Sequence, residues 1–374
     1  MWHRGLLSGL SVFLVFVCFL FPFPYRFFQF YSDWVLSFWN AVLGLFLPDA
    51  DNLSIYSDSS ALGFVMLIVL GFSFGLVLVL IWMRKESTLL WIHEKVSYQI
   101  LTYFLALILL IYGFDKIFKT QFYLPEPNIM YTPFGLLDRD ILYWSTIGTS
   151  YSYNVFLGFC EVVPALLILF RRTRVLGLIL SMLVLIHVMA VNFGFQIHVK
   201  GLIAILISIN VFLLMPYLVP VYRFFILHQQ VRLVKVKEKG QPRPFISFFK
   251  TLVIGFIFLE VLYPYVLQGN FQDDLMKRPP FHGAYAIRQP NSTWKRVFIH
   301  RRDYVIFQDN QEHFYPIRVR LNYLDNTFIC DDNDLKIKTF SLMHTHSLEL
   351  YYTDQSKVLL PIQKLPYWNL PVLH

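Results

Sequence analysis

A single acidic residue, Glu161, lies inside a long apolar stretch of the sequence, YSYNVFLGFCEVVPALLILFRRTR at residues 151–174. A carboxylate at the centre of a bilayer costs about 3 kcal/mol on insertion scales, so such a residue is by default a candidate for a functional site. Pro164 follows three residues later, and because proline has no N–H group, the carbonyl of Cys160 loses its helical donor. The pattern predicts a polar notch around Glu161. The alternative is a carboxylate that bonds to neighbouring helices for packing alone.

A histidine on the next apolar segment is the second candidate for chemistry. His187 lies about twelve residues from the inner end of its segment, so antiparallel packing of the two segments would bring it to the depth of Glu161. Histidine titrates near neutral pH, and the two groups together would suit proton transfer. Asn192 lies about a turn and a half further out, and Lys200 lies at the outer end. Glu161 and His187 are therefore our candidate catalytic residues.

Four polar residues on other segments could join this site. Tyr112, Asp115 and Lys116 stand together in IYGFDKIF; alternatively they only end a helix at the interface, where lysine can snorkel and aspartate can meet water. Glu260 has Pro264 four residues on, and the sequence leaves open whether it joins Glu161 or lines the end of its own helix. The predicted ligand-binding set is Tyr112, Asp115, Lys116, Glu161, His187, Asn192, Lys200 and Glu260.

The composition indicates that membrane helices position these residues. The chain is 56% hydrophobic, 18% aromatic and 15% charged, whereas soluble domains are about 45–50% apolar and roughly 25% charged. Several segments have the roughly 20 apolar residues that a helix needs to cross about 30 Å of hydrocarbon. We predict an all-α polytopic membrane bundle of about seven transmembrane helices, at residues 5–24, 61–83, 99–118, 151–174, 175–195, 201–219 and 246–267.

Basic residues orient these predicted helices. With the N-terminus inside, the inner loops hold 14 lysines and arginines, and the outer loops before the last helix hold five, which fits the positive-inside rule. We therefore expect everything after about residue 267 to lie outside. The first segment lacks a small-residue cleavage site after it and is predicted to be a retained anchor. The aromatic stretch 28–47 contains Asp33 and Asn40, and we expect it to form a helix in the outer interface.

Net charge and cysteine content exclude several functions. The net charge of +8 does not indicate nucleic-acid binding, because 14 of the 32 basic residues determine the topology. Cys18, Cys160 and Cys330 are scattered, which excludes a CxxC redox pair, a c-type haem motif and a cysteine zinc site. We expect no metal site and no built-in cofactor, so electron transfer would need a borrowed carrier such as a quinone.

In the last hundred or so residues, apolar and polar residues alternate with the period of two that is typical of β-strands. Stretches such as DYVIFQD, YPIRVRLNY and LELYYT alternate or are rich in β-branched and aromatic residues, and the turn clusters HRRD, DDND and TDQS separate them. We count about eight short strands. They predict a small antiparallel β-barrel or β-sandwich as a C-terminal domain.

Part of the membrane region resembles the DoxX-like membrane protein family. The resemblance rests on YGFDKIF from Tyr112, the stretch 148–177 around Glu161, and VNFGFQIHVK from Val191, within about residues 100–215. It implies a four-helix core, and similar proteins include thiosulfate:quinone oxidoreductase subunits, partners of secreted redox enzymes, and membrane chaperones or cargo receptors. The positions that the resemblance marks are Glu161, Arg171, Arg172, Asn192 and Lys200, beside Tyr112, Gly113 and Lys116.

The predicted domain organisation has four parts. Residues 1–98 hold two transmembrane helices and the outer interfacial helix, and residues 99–220 form the DoxX-like four-helix membrane core. Residues 221–267 contain a basic inner loop and the seventh helix. Residues 268–374 form the extracytoplasmic β-rich domain.

Three functions fit these features. The first is an accessory protein of a bacterial cytoplasmic (inner) membrane, which binds a lipid, a quinone or a partner helix around Glu161 and displays its β-domain to a periplasmic partner protein. The second is a quinone-linked oxidoreductase subunit, in which Glu161 or His187 takes up protons. The third is a proton-coupled transporter, because Pro164 and Pro264 break helices near carboxylates, although we see no inverted repeat. We expect the first.

Overall fold

The chain folds into two compact units. The computed structural model describes residues 2–21, 23, 25–46, 71, 73, 87–231, 244–322, 327–331, 334–343, 347–367 and 369–373. One unit, here called the helical unit, comprises Met1–Gln121 and Val155–Phe271, and the other, the barrel unit, comprises Phe122–Asn154 and Gln272–His374. The predicted helix at 61–83 lies outside the described residues except for Gly71 and Ser73, and so does most of the basic inner loop.

Long helices build the helical unit, and two short ones belong to the barrel unit. Five helices among the described residues are long and apolar enough to cross a membrane, with spans Lys95–Ile117, Tyr151–Leu169, Arg174–Gly194, Lys200–Phe225 and Phe248–Leu275. They fit a membrane-embedded helical protein, and the total of about seven stays a prediction. The helices are α1 Trp2–Leu20, α2 Gln29–Phe46, α3 Ser87–Ile117, α4 Pro127–Met130, α5 Arg139–Gly148, α6 Tyr151–Leu169, α7 Arg174–Gly194, α8 Lys200–Phe225 and α9 Pro244–Gln268.

Helix α3 is the most enclosed of the spans. A helix that is apolar on all sides needs neighbours on all sides, and α3 has apolar side chains around its whole circumference. Those with 0% exposure are Leu101, Leu105, Ala106, Ile108 and Leu110. This enclosed position places the polar end of α3, with Asp115 and Lys116, among the helices around it.

Two glycines allow α3 and α6 to approach closely. A Cβ on Gly113 would lie 2.6 Å from Cγ2 of Val162, and one on Gly158 would lie 2.6 Å from the carbonyl oxygen of Gly113. Small residues at such crossings let membrane helices pack backbone to backbone. The crossing brings the next turn of α3, which carries Lys116, within reach of Glu161 on α6.

Helix α2 has one buried and one exposed aromatic face. Trp39 is fully buried, and its Nε1 donates to the carbonyl oxygen of Leu20 at 2.7 Å. The side chains of Phe30 and Trp34 are 71% and 58% exposed, as expected of a helix that lies in a membrane interface. The position of α2 relative to a membrane stays a prediction.

The C-terminal residues form a closed eight-stranded barrel. Neighbouring strands pair antiparallel in chain order, and β1 pairs with β8 to close the sheet. This confirms the predicted β-domain and decides in favour of the barrel. The strands are β1 Gly283–Ile287, β2 Trp294–Ile299, β3 Tyr304–Asp309, β4 Phe314–Asn322, β5 Thr327–Cys330, β6 Ile337–Met343, β7 Ser347–Tyr352 and β8 Lys357–Lys364.

Apolar side chains from every strand pack into one core inside the barrel. Eight strands give an interior just wide enough for side chains to fill, and the rings of Phe328 and Phe340 stack there with centroids 4.5 Å apart. The interior is thus a packed core. Its buried members are Tyr285, Val297, Ile299, Val305, Phe307, Ile317, Val319, Phe328, Ile337, Phe340, Leu342, Leu348, Leu350, Leu360 and Ile362.

The connection between α3 and α6 packs on the outside of the barrel. Tyr131 packs against a second cluster formed by Ala284, Phe298 and Ile306, on the outer face of β1 to β3. The amide of Asn154 donates to the carbonyl oxygens of Phe122 at 3.0 Å and Ile147 at 3.2 Å. The structure therefore groups residues 122–154 with the barrel, whereas the sequence predicts that they belong to the membrane core at 99–220.

Candidate intramembrane polar site

Glu161 on α6 and Lys116 on α3 form a buried ion pair. Lys116 Nζ lies 2.8 Å from Oε2 and 3.0 Å from Oε1 of Glu161, and the two side chains are 9% and 6% exposed. Nζ also donates to the carbonyl oxygen of Tyr112 at 3.4 Å. The lysine therefore runs back along its helix, the direction that helical side chains favour, and points into the bundle instead of snorkelling outward.

Asp115 precedes Lys116 and contacts a different set of partners. Its Oδ2 lies 2.6 Å from Nη2 of Arg26, in the connection between α1 and α2. Its Oδ1 accepts hydrogen bonds from the hydroxyls of Tyr265 and Thr120, each at 2.7 Å. Nη1 of Arg26 donates to the Tyr265 hydroxyl at 3.2 Å. Asp115 thus joins α3 to α9 and to the α1–α2 connection.

Glu260 on α9 binds backbone N–H groups. It is 1% exposed, and its carboxylate accepts from the backbone nitrogens of Arg26, Phe27 at 3.0 Å and Phe28 at 3.1 Å. Helix α2 begins at the next residue, so these N–H groups have no helical carbonyl to bind, and they lie beside the positive end of the helix. Glu260 therefore anchors the start of α2, and it connects to Asp115 through Arg26.

Two hydrogen-bonded groups that meet at the consecutive residues Asp115 and Lys116 of α3 are here together called the polar network. It contains the cations Arg26 and Lys116 and the carboxylates Asp115, Glu161 and Glu260. Each carboxylate accepts at least two hydrogen bonds, which offsets the free energy lost when a charge leaves water. Arg26 has the most exposed side chain, at 34% against 8% for Asp115. The network holds helices together, and Arg26 is its accessible member.

Three predicted site residues lie elsewhere. The side chain of His187 is exposed on α7, and the hydrogen bonds of Glu161 within the described residues go to Lys116. Asn192 is buried and donates to the carbonyl of Val188 in its own helix at 2.8 Å. Lys200 donates to the carbonyl of Ile197 at 2.9 Å. The structure does not bring these three to Glu161, and their roles stay predictions.

The sequence reasoning missed Arg26, Tyr265 and Thr120. Arg26 is one of the five basic residues that the sequence places in the outer loops. The surroundings of Arg26 could have identified it. It is the single basic residue in FPFPYRFF, and a cation beside apolar helices needs a carboxylate partner. Tyr265 directly follows Pro264 and carries no comparable signal.

An apolar cavity of about 220 Å³ lies beside Glu260. It is smaller than pockets for drug-sized ligands, which measure about 300–1,000 Å³, and its size suits part of a hydrocarbon chain. Residues of the α1–α2 connection, of α3 and of α9 line it: Tyr25, Phe28, Tyr103, Phe104, Leu107, Val253, Phe256, Ile257 and Glu260.

The barrel unit contains a second charged cluster, around Glu126. The side chains of Glu126 and His282 are each 4% exposed, and Oε2 of Glu126 lies 3.0 Å from Nε2 of His282. Oε1 lies 2.7 Å from Nε of Arg301, an ion-pair contact outside hydrogen-bond geometry. Arg301 also pairs with Asp273 and stacks on Tyr123 with Cζ 3.7 Å from the ring centroid. The cluster attaches the start of the α3–α6 connection to the barrel.

Two groups of this cluster have shifted pKa values. Burial opposes the charged form of Glu126, but the hydrogen bond from His282 and the nearby positive charges outweigh it, so its pKa lies below the ordinary 4.5. Burial lowers the pKa of His300, and the charges of Arg301 and Arg302 lower it further against the opposing effect of Glu126. Nδ1 of His300 accepts the backbone N–H of Arg302 at 3.1 Å, which requires an unprotonated Nδ1.

Among the described residues, no group of three histidine, cysteine, aspartate or glutamate side chains is placed to hold a metal ion. The cluster around Glu126 is compensated by arginine instead. For the part of the chain that the structure covers, the charged clusters are ion-pair networks.

Comparison with known proteins relates part of the chain to one curated relative. No family model matches the chain, and no solved structure matches it. The chain is 32% identical over 111 residues to the uncharacterized protein YwoB of Bacillus subtilis (strain 168), a stretch that covers 30% of this chain and 70% of that relative. This chain belongs to the same family as YwoB. The YwoB match brings no activity with it, and the DoxX-like resemblance stays a prediction.

Proposed function

We propose that this protein is an accessory protein of a bacterial cytoplasmic membrane, which binds a lipid-like molecule through its helical unit and displays its barrel on the outer side. The observation that carries the proposal is that each cation of the polar network forms an ion pair with a carboxylate from another segment of the chain. Lys116 pairs with Glu161, and Arg26 pairs with Asp115. Buried polar groups of this kind can fix how helices pack. Fixed helices provide a constant wall for a binding site.

The apolar cavity supports a binding role. It lies between α3, α9 and the α1–α2 connection, next to the carboxylate of Glu260. Phe28 and Phe256 are among its walls, and aromatic and aliphatic walls suit a hydrocarbon ligand. The cavity surface is almost wholly apolar, and Glu260 is the lining residue through which it adjoins the polar network.

The barrel supports a display role. Closure removes the free strand edges through which open sheets pair with other chains, and a filled interior leaves the outer surface for recognition. Exposed apolar side chains on that surface include Tyr304, Ile329 and Leu359. A rigid module with a mixed outer surface suits contact with a partner protein.

Affinity purification of the full chain from native membranes tests the binding role. Molecules and proteins that co-purify in mild detergent would be identified by mass spectrometry, with Val253→Trp to fill the cavity and Leu252→Trp as the matched control on α9. We expect one hydrophobic molecule at a constant molar ratio, depleted by Val253→Trp alone. Bulk lipid in membrane proportions, with no partner protein, would contradict the proposal.

Labelling of introduced cysteines tests the display role. Ser356 lies in the exposed turn before β8, and Arg223 lies near the end of α8. In a chain whose native cysteines are replaced by serine, a membrane-impermeant maleimide should label Ser356→Cys in intact cells and Arg223→Cys only after permeabilisation. The reverse pattern would refute the proposed orientation.

A quinone-linked oxidoreductase subunit is the second candidate function. The observation that favours it is the aromatic part of the cavity wall, which includes Tyr25 and Tyr103, because aromatic and aliphatic walls suit the flat ring and prenyl chain of a quinone. The same purification would then recover a quinone, and Glu161→Gln would change the rate of quinone reduction by membranes. Recovery of no quinone together with an unchanged rate would reject this candidate.

A further inference from the structure

We infer that Arg26 and the apolar cavity form one phospholipid-binding site, with the lipid phosphate on the guanidinium group and an acyl chain in the cavity. The inference rests on the proposed binding role of the helical unit and names the ligand class. The proposed site contains Arg26, the most exposed member of the polar network, and does not contain the buried Lys116–Glu161 pair.

Arg26 has unused hydrogen-bond donors at an accessible position. A guanidinium group carries five N–H donors, and the contacts of Arg26 within the described residues use one on Nη1, for Tyr265, and one on Nη2, for Asp115. Its side chain is 34% exposed. The planar fork of arginine matches phosphate geometry, so the remaining donors suit a phosphate oxygen.

The phosphate end and the chain end of the proposed site meet at the α1–α2 connection. Tyr25 and Phe28 line the cavity, and Arg26 lies between them in the chain. Glu260 lines the same cavity and accepts the backbone N–H of Arg26. From Glu260 the wall continues along α9 to Val253, about 10 Å of helix.

The headgroup would provide the selectivity of this site. An acyl chain that enters the cavity from a bilayer exchanges one hydrocarbon environment for another, so the hydrophobic effect contributes little. A charge-assisted hydrogen bond from Arg26 to phosphate distinguishes a phospholipid from a neutral lipid. The carboxylates nearby have hydrogen-bond partners besides the Arg26 guanidinium: two hydroxyls for Asp115 and backbone N–H groups for Glu260.

Lipid titration of the detergent-purified full chain, read by native mass spectrometry, tests the inference. The probes are dioleoylphosphatidylglycerol, dioleoylglycerol with the same chains and no phosphate, a prenyl quinone, and inorganic phosphate. The variants are Arg26→Gln, the cavity-filling Val253→Trp, and the control Leu252→Trp. A melting curve for each variant reports whether it is folded.

We expect phosphatidylglycerol to bind at least tenfold more tightly than dioleoylglycerol, the scale of one charge-assisted hydrogen bond. Arg26→Gln and Val253→Trp should each weaken it about tenfold, and Leu252→Trp should not. If Arg26→Gln fails to fold, Val253→Trp and the comparison of the two lipids still decide.

Three results would overturn the inference. Equal binding of dioleoylglycerol would remove the role of the phosphate, and binding of inorganic phosphate as tight as that of phosphatidylglycerol would remove the role of the chain. Binding of a prenyl quinone with no binding of phosphatidylglycerol would overturn the inference and leave the proposed binding role intact. If no lipid or quinone binds in the titration and no partner co-purifies from native membranes, both the inference and the proposed binding role fail.

Discussion

Removal of one member of the Lys116–Glu161 pair should destabilise the protein far more than removal of both. At 2.8 Å and an effective dielectric constant near 20, the Coulomb attraction is about 6 kcal/mol, and the desolvation of two ions, several kcal/mol each, offsets most of it. Lys116→Met or Glu161→Leu alone leaves a buried, uncompensated charge and should lower the free energy of unfolding by about 3–5 kcal/mol. The double variant should lie within about 1 kcal/mol of the natural chain.

Equilibrium unfolding of the full chain in mixed micelles would measure these differences. The natural chain, the two single variants and the double variant form a double-mutant cycle, whose interaction energy should be about 5 kcal/mol or more, because two single losses of at least about 3 kcal/mol each are nearly recovered in the double variant. Lys200→Met is the matched control, because Lys200 donates to a backbone carbonyl and has no predicted effect above about 1 kcal/mol.

Additive effects would refute this reasoning. If each single variant changes the free energy of unfolding by less than about 1 kcal/mol, or if the double variant loses the sum of the two single losses, the two charges do not compensate each other. Glu161 would then have another partner.

Three further predictions test other parts of the account. Gly113→Ala should lower the free energy of unfolding by about 1–3 kcal/mol, because the added Cβ would overlap Val162. Gly194→Ala should not, because a Cβ at that position would have no neighbouring atom within 4 Å. Glu260→Gln should lower it by about 1–3 kcal/mol, because backbone N–H groups lose a charged acceptor, and should speed hydrogen exchange at residues 26–28. Glu126 has a folded pKa below its ordinary 4.5, so its stabilising effect is present above that pH and is lost as pH falls below it. Glu126→Gln should flatten this fall in thermal stability, and a change at the half-buried Asp331, Asp331→Asn, should not.

Each of these predictions has a contradicting outcome. Equal stability of Gly113→Ala and Gly194→Ala would mean that α3 and α6 do not cross at Gly113. Unchanged exchange at residues 26–28 in Glu260→Gln would remove its role at the start of α2. An unchanged acid transition in Glu126→Gln would show that the cluster in the barrel unit does not contribute to acid sensitivity.

The barrel could be predicted from sequence because its pattern is local. In β4 the side chains of Ile317 and Val319 are buried and those of Arg318 and Arg320 are exposed, which is the alternation that the sequence displays. Choosing a barrel over a sandwich required the pairing of β1 with β8. That pairing joins strands from opposite ends of the domain, and no local pattern encodes it.

Glu161 could be predicted as a member of a polar site with Lys116 among its candidate members, but the sequence could not single out Lys116 as its partner over His187. The number of residues between a side chain and the end of its helix gives the depth of that side chain in the membrane. Glu161 and His187 have similar depths, which suggests that they are partners. Depth does not determine which face of a helix turns inward, and α7 exposes His187 together with Leu183 and Ile186. Lys116 lies near a helix end, and its Nζ lies 2.8 Å from Oε2 of Glu161 because two glycines let α3 and α6 cross closely.

Interactions between distant parts of the chain account for the other differences. Arg26 and Asp115 are 89 positions apart, and Glu126 and His282 are 156 apart. Pairs of this kind leave no periodic signal, because each residue satisfies its charge through tertiary packing. The assignment of residues 122–154 to the barrel unit depends on such contacts, including the one made by Glu126.

A density map of the full chain in lipid nanodiscs tests the central claim most directly, because it shows where the buried charges point. We predict density between Lys116 Nζ and the Glu161 carboxylate, and between Arg26 and Asp115. A Glu161 carboxylate that faces acyl chains, or a Lys116 side chain that extends away from the bundle, would contradict the account.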